Sequence, residues 1–305
     1  GATWFGKYHP QFFEFLNELE IEAFEQKMGN HAVYESISTS PPQLVTLPAN
    51  EQPSYRVKSG TFSVISALLK KLDKTAIYYE QIVESIEFQN SNFKIKTDKA
   101  EFESSFVIST LPPYLLTKSI VFKPDLPQEL MEVTSKTHTW MAESIKVGLT
   151  YETPFWRQAN SSATIFSNVG PITEMYDHSN FKDEAYGLKG FVNSSYFSIS
   201  KKERLELILQ QLTRYYGQDA RSYKSYEETV WRNEPFTFTE YESPLFPHQN
   251  NGHVAYSKPY FDNQFIIAGA ETASSFPGYM EGAISSAKSA FELLKELLKD
   301  LKRES

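Results

Sequence analysis

The chain has 305 residues, of which 40% are hydrophobic and 22% charged, a composition that builds a core and excludes a disordered polymer. With 30 Lys and Arg against 38 Asp and Glu, the formal net charge of -8 excludes a general nucleic-acid binder, because neutralising phosphates takes a basic surface. There is no Cys, which rules out disulfides, thiolate metal sites and a cofactor tethered through sulfur; no metal site is expected.

In chain order, HPQFFEFLNELEIEAFEQ places Phe12, Phe13, Leu16, Leu19 and Ile21 at helical spacing, so a helix starts near Pro10. Residues 36–53 carry four prolines and read as loop, with a short strand at 44–47. Gly60 introduces a second helix through Val64, Ile65, Leu68, Leu69 and Leu72. Strands are predicted at 76–79, 83–88, 93–97 and 106–109, forming a meander that leads into a buried strand. Four more, at 144–150, 164–168, 172–176 and 186–193, are expected in one sheet. A helix over 201–216, a strand over 226–231, a strand over 264–268 and a long final helix from near Pro277 to about Leu301 complete the pattern. No apolar run reaches the roughly 20 residues of a membrane helix and no signal peptide opens the text, so the expected setting is soluble and cytoplasmic.

FIIAGAETASSFPGYMEGAISSAKSAFELL puts a buried strand, a turn at Gly269 and a helix start in immediate succession. A helix amino terminus offers unpaired N–H groups, and glycines at 269, 278 and 282 let backbone approach a flat ligand. On residue chemistry alone, a cofactor site and an ordinary strand-to-helix crossover fit equally well.

The run Gly269-Ala270-Glu271-Thr272 followed by Pro277-Gly278-Tyr279-Met280-Glu281-Gly282-Ala283 resembles the closing signature of flavin-containing amine oxidases of the monoamine and polyamine oxidase type. That resemblance implies that the backbone of Gly278 to Met280 supports the flavin's pyrimidine side and that Glu271 approaches its ribityl or phosphate region. Tyr279 then forms one wall of an aromatic cage, where the plainer alternative is a packed core tyrosine. GATWFG is similar to the family's glycine-rich stretch beside the flavin, making Ala2, Thr3 and Trp4 cofactor neighbours. In IYYEQIVESIEF, Val83 matches a backbone contact to adenine; FVISTLPP resembles a strand end near the dinucleotide, where Ser109, Thr110 and Pro112 supply the small residues and turn. In ESIKVGLTYETPFWR, Lys146 matches the lysine that reaches a water at flavin N5 and is the catalytic candidate; the alternative is a solvated sheet face. WRNEPFTF offers Phe236 or Phe238 as the second cage wall, with a core role as the alternative.

The resemblance implies a mixed α/β (α+β) fold in two interleaved parts. The incomplete FAD-binding part comprises residues 1–30, 54–113 and 259–305, and the mixed-sheet substrate part residues 31–53 and 114–258. It implies noncovalent FAD, hydride transfer from an amine, and O2 as acceptor giving H2O2, with a homodimer as the candidate assembly. Two departures stand out. The strand, G-x-G-x-x-G and helix that cradle the pyrophosphate are absent from the text and expected upstream of Gly1, as in a truncated chain, and the helical part of the substrate region is short. Two other readings remain: a related flavin oxidase or desaturase acting on carotenoids, porphyrinogens or reduced nicotinamides, and a flavin-free fragment or interaction module. No histidine reads as catalytic.

Overall fold

The computed structural model describes residues 2–49 and 52–304. Its elements run α1 (Pro10–Glu18), β1 (Ala23–Glu25), β2 (His31–Glu35), β3 (Gln43–Thr46), β4 (Tyr55–Val57), α2 (Phe62–Lys71), β5 (Val83–Gln89), β6 (Asn92–Thr97), β7 (Glu101–Ser104) and β8 (Val107–Ser109). There follow α3 (Pro113–Ser119), β9 (Val121–Lys123), α4 (Gln128–Thr134), β10 (Ile145–Tyr151), β11 (Ser161–Ser167), β12 (Ile172–Asp177), β13 (Tyr186–Val192), α5 (Lys201–Tyr216), β14 (Tyr223–Val230), β15 (Phe265–Ile267) and α6 (Met280–Glu304). The architecture is the mixed α/β arrangement expected from the sequence.

Seven strands form the main sheet in the order β14-β10-β13-β12-β11-β2-β3, antiparallel except where β11 runs parallel to β2. The four strands read at 144–193 do share this sheet. Alternation divides its faces: Ile145, Val147 and Leu149 pack with Ile165, Met175 and Leu188 under Ile208, Leu209 and Leu212 of α5. Lys146 lies across from Phe191, and Lys189 across from Tyr176 and Gly148, so these side chains share the opposite face.

A second core joins the four-stranded sheet β7-β6-β5-β9 to the parallel pair β8 and β15. It buries Ile86, Phe93 and Phe265 together with Leu116, Phe122 and Leu130, so residues 114–130 pack here, away from the large sheet. Residues 76–79 form no strand, contrary to the sequence expectation. Asp73 caps a short 3-10 turn through the Thr75 N–H at 2.9 Å, Tyr78 and Tyr79 point into solvent, and Glu80 takes a positive φ of 54°. Apolar and aromatic residues alone do not make a strand without a partner edge.

The two ends of the chain meet at one carboxylate. Pro10 opens α1 without an N–H, leaving Gln11 and Phe12 as its first donors; both donate to Glu281, at 3.1 and 2.7 Å. Glu281 lies in the first turn of α6 and is 2% exposed, so it caps a helix almost 270 residues earlier, complementing the positive end of α1. Around it Phe5, Phe12, Leu16, Val57 and Val64 pack with Met280 and Ile284. Gly282 lets α6 come this close: a Cβ there would lie 2.3 Å from the Phe276 carbonyl oxygen. Glu281→Ala is expected to lower the unfolding free energy by about 2–4 kcal/mol, and Glu281→Gln by about half that, because two charge-assisted bonds to buried donors are at stake. Urea denaturation measures this, and a loss below about 0.5 kcal/mol for Glu281→Ala would contradict the role assigned to the cap.

Candidate active site

A cavity of about 870 Å³ lies between the amino-terminal segment, the open face of the large sheet and the start of α6. Its size is that of a small-molecule site. Ala2, Thr3 and Trp4 form one wall, Tyr176 and Phe191 the sheet side, and Gly278, Tyr279 and Met280 the helix side. Six residues singled out in the sequence thus converge on one space. Gly1, at the head of the GATWFG stretch, lies outside the described residues.

A chain of polar contacts positions Trp4. Its Nε1 donates to Gln26 Oε1 at 3.1 Å, and Gln26 Nε2 donates to the Asp177 carbonyl at 2.7 Å. The Asp177 carboxylate accepts from Trp156 Nε1 at 2.8 Å, Arg157 Nε at 2.7 Å and the Ser179 N–H at 2.8 Å. Burial by itself would raise the pKa of this carboxyl, but bonds from Arg157, Trp156 and Ser179 hold it below the ordinary range. The Trp-Arg pair of PFWR therefore anchors the sheet end on which Trp4 rests. The Trp4 ring meets Tyr176 edge-on at 4.9 Å, and Lys189 Nζ stands 4.8 Å from its centre.

Two glycines shape the helix side. Gly278 has φ 82° and donates its N–H to the Ala270 carbonyl at 2.9 Å, folding the Pro277-Gly278 turn over the strand end. Gly269, at φ 141°, donates to Ser286 Oγ at 3.0 Å, which pins the end of β15 to α6. Glu271 is half-buried and its carboxyl is pushed above the ordinary range by that burial. Thr110 follows β8 beside this turn, its carbonyl oxygen 3.7 Å from where a Gly269 side chain would begin.

The remaining sequence candidates lie elsewhere. Val83 opens β5 and packs against the second core. Phe236 is 59% exposed, while Phe238 is buried against Tyr241 at 5.5 Å and Arg232 at 5.2 Å; neither lines the cavity. The rings that face Tyr279 are instead Trp140 at 4.7 Å, tilted by 41°, His9 at 5.7 Å, tilted by 43°, and His248 at 6.2 Å, parallel to within 6°. Lys146 lines a neighbouring cavity of about 390 Å³ on the same sheet face, together with Lys189. Burial lowers the Lys146 amine to about 8; burial, then Lys146 and Arg56, lowers Lys189 to about 7.

Sequence reasoning missed Lys189, Trp140 and the histidines. Lys189 was open to discovery, since alternation along 186–193 sets it on the Lys146 face. Trp140 and His248 sit in segments without periodicity and come together only in three dimensions.

A family model described as flavin containing amine oxidoreductase matches residues 23–292. A probable flavin-containing monoamine oxidase A of Dictyostelium discoideum is 30% identical over 250 residues, covering 79% of this chain and 53% of that protein. A putrescine oxidase of Kocuria rosea is 28% identical over 197 residues, 60% of this chain and 41% of its own. The chain spans about half the length of the curated relatives it matches. Among solved structures, a putrescine oxidase superposes with a TM-score of 0.82 at 19% identity, covering 97% of this chain and 88% of that one. A cyclohexylamine oxidase from Brevibacterium oxydans gives 0.80 at 16% identity, with 97% and 87% covered. At those identities the solved structures speak for the fold, and the family match over most of the chain settles the rest: this chain belongs to the flavin-containing amine oxidoreductases.

Proposed function

We propose that the protein containing this chain binds FAD noncovalently and oxidises an amine, and that this chain supplies the surface around the flavin ring and the substrate. The observation that carries the reading is the convergence of Trp4, Tyr279 and the Gly278 to Met280 backbone on one cavity. That cavity suits a flat, partly polar ring system: aromatic faces line two sides, and the first-turn N–H groups of α6 lack acceptors within their own helix. His9 adds an orphaned donor. Its Nδ1 accepts the Gly6 N–H at 3.3 Å, which leaves its proton on Nε2, a buried atom without a partner among the described residues. The ring end of the cofactor therefore fits, whereas no G-x-G-x-x-G stands in the sequence to cradle a pyrophosphate.

When bound, the flavin supplies the two-electron acceptor, with O2 proposed to take the electrons on and leave as H2O2. Ala2, Thr3 and Trp4 would bound the ring on one side, and Gly278, Tyr279 and Met280 on the other. Gly269, Glu271, Thr110 and the Val83 backbone would serve the rest of the dinucleotide, a role that the family resemblance suggests. Lys146 would place an amine on the sheet face near the ring edge, able to order a water; the neighbouring Lys189 adds a second amine. For the substrate, Tyr279 provides an aromatic wall, with Phe236 and Phe238 held in reserve by their position in the sequence and not by proximity. The large sheet forms the substrate part, and the second core with α1, α2 and α6 the cofactor part. Residues 114–130 go with the latter.

Anaerobic addition of an aliphatic amine to the FAD-loaded protein is expected to bleach the flavin absorption, and air to restore it. Lys146→Met is expected to slow the restoration by about 10-fold or more while leaving bleaching within about threefold. A flavin that stays oxidised with every amine offered would overturn the reading.

The two amines also set a pH dependence. Their folded pKa values lie below those of an unfolded lysine, so the unfolded chain binds more protons between about pH 7 and about pH 10. Stability is thus lowered in full below the folded values and recovers as pH rises toward the unfolded one. Lys189→Met is expected to stabilise the chain by about 1–2 kcal/mol near pH 7, with the gain vanishing by about pH 10. Denaturation at three pH values checks it, and a pH-independent gain would contradict the electrostatic account.

A further inference from the structure

Resting on the amine-oxidation reading, we infer that His248 is the proton acceptor that converts an incoming ammonium to the neutral amine, with Asn251 as the residue that positions it. Asn251 Nδ2 donates to the His138 carbonyl at 2.8 Å and reaches the Gln249 carbonyl at 3.5 Å, so both amide hydrogens are directed at acceptors. Its Oδ1 can then only accept, and it faces His248 Nδ1 at 3.3 Å. The proton of neutral His248 is thereby placed on Nδ1, and the lone pair on Nε2. No hydrogen bond engages that Nε2 among the described residues. The His248 backbone N–H donates to His138 Nδ1 at 3.3 Å, which occupies the lone pair of neutral His138 and removes it as a competing acceptor.

The ring carrying this lone pair neighbours the large cavity through two of the residues that line it. It lies parallel to Tyr279 at 6.2 Å and 4.9 Å from Trp140, and both of those rings line the large cavity. Its Cε1 edge is 3.4 Å from where a side chain on Gly278 would begin, so the absence of one leaves the edge uncovered. The titratable groups packed around it are Tyr279 before α6 and His138 before β10. The cavity's carboxylates are already engaged: Glu143 by Arg232 at 3.1 Å, and Glu174 by the Tyr176 hydroxyl at 3.0 Å. Alkylamines reach the protein as ammonium ions near neutral pH, and a carbon next to an ammonium does not give up hydride. In the proposed step one N–H bond of R–CH2–NH3+ breaks, an Nε2–H bond forms, and the positive charge passes from substrate to imidazole. The imidazolium keeps its Nδ1–H bond to Asn251 and lies against Trp140 and Tyr279, whose faces favour a cation. No oxidant is consumed, and the proton leaves to water.

The test compares two amines of different basicity on the FAD-loaded protein, as wild type and as His248→Phe, which keeps a flat ring but no lone pair. With a strongly basic alkylamine, His248→Phe is expected to lower kcat/KM about 100-fold near pH 7, the loss closing as pH approaches the amine's own pKa. With a fluorinated amine already neutral near pH 7, the expected loss is less than about threefold. Equal losses for both amines would show only a structural wall and overturn the inference, as would no loss for either. Nitrogen-15 NMR of the histidines gives a readout independent of turnover: wild type is expected to hold an unprotonated Nε2 at His248, and Asn251→Ala a mixture of tautomers. A protonated Nε2 in wild type overturns the inference even where amine oxidation stands. Turnover of neither amine by wild type overturns the reaction reading, and the proton transfer falls with it.

Discussion

The contact between the Glu281 carboxylate and the opening of α1 holds the rest of the site in place. Helix α1 begins at a proline, lacks a side-chain cap of its own, and takes its acceptor from the other end of the chain. Because Glu281 sits in the first turn of α6, satisfying α1 fixes where α6 starts. The start of α6 carries the Gly278-Tyr279-Met280 wall, and the segment before α1 carries Ala2, Thr3 and Trp4. A single buried carboxylate therefore sets the width of the cavity between them. It also accounts for the glutamate and second glycine in GYMEG: the first caps a distant helix, and the second gives the room to do so.

The sheet supplies the opposing surface by a division of labour between its faces. One face is sealed by α5 and carries the stability of that half of the molecule. The other leaves Lys146, Lys189, Tyr176 and Phe191 under the amino-terminal segment. Two amines buried on adjacent strands, the first depressing the second, cost stability in the folded chain, a cost the hydrophobic side of the same strands offsets. Asp177 and its donors from Trp156, Arg157 and Ser179 tie this face to Trp4 through Gln26, so one run of hydrogen bonds joins the sheet to the aromatic wall.

Where hydrophobic period and element coincided, the sequence was legible. Helix α5 was read to the residue, and the strands at 144–193 and their common sheet followed from alternation. The strand read at 76–79 failed because Tyr78 and Tyr79 have β-prone side chains but no partner edge. Helices α3 and α4 went unread, each only two turns long and opened by proline. Within the site, residues borne on a contiguous motif were found together: Gly278, Tyr279 and Met280, or Ala2, Thr3 and Trp4. The partners of Tyr279 were not, since Trp140 and His248 come from aperiodic segments more than 100 residues apart, joined by the His138 and Asn251 bonds. Phe236 and Phe238 were candidates by distance along the chain, and the short turn after β14 carries Phe236 into solvent and Phe238 into a buried contact with Tyr241.

We propose that the space between Trp4, the sheet and the α6 start receives a flavin ring, and lumiflavin tests this most directly, since it has the ring and no phosphate to be cradled. Trp4 and Trp140 line that space, whereas Trp156 is buried in the sheet core. Titration of the chain with lumiflavin is expected to give saturable quenching of tryptophan fluorescence that is reduced by Trp4→Phe and reduced further in the Trp4→Phe, Trp140→Phe double variant. Absence of saturable quenching, or quenching undiminished in the double variant, would place the ring elsewhere and contradict the account.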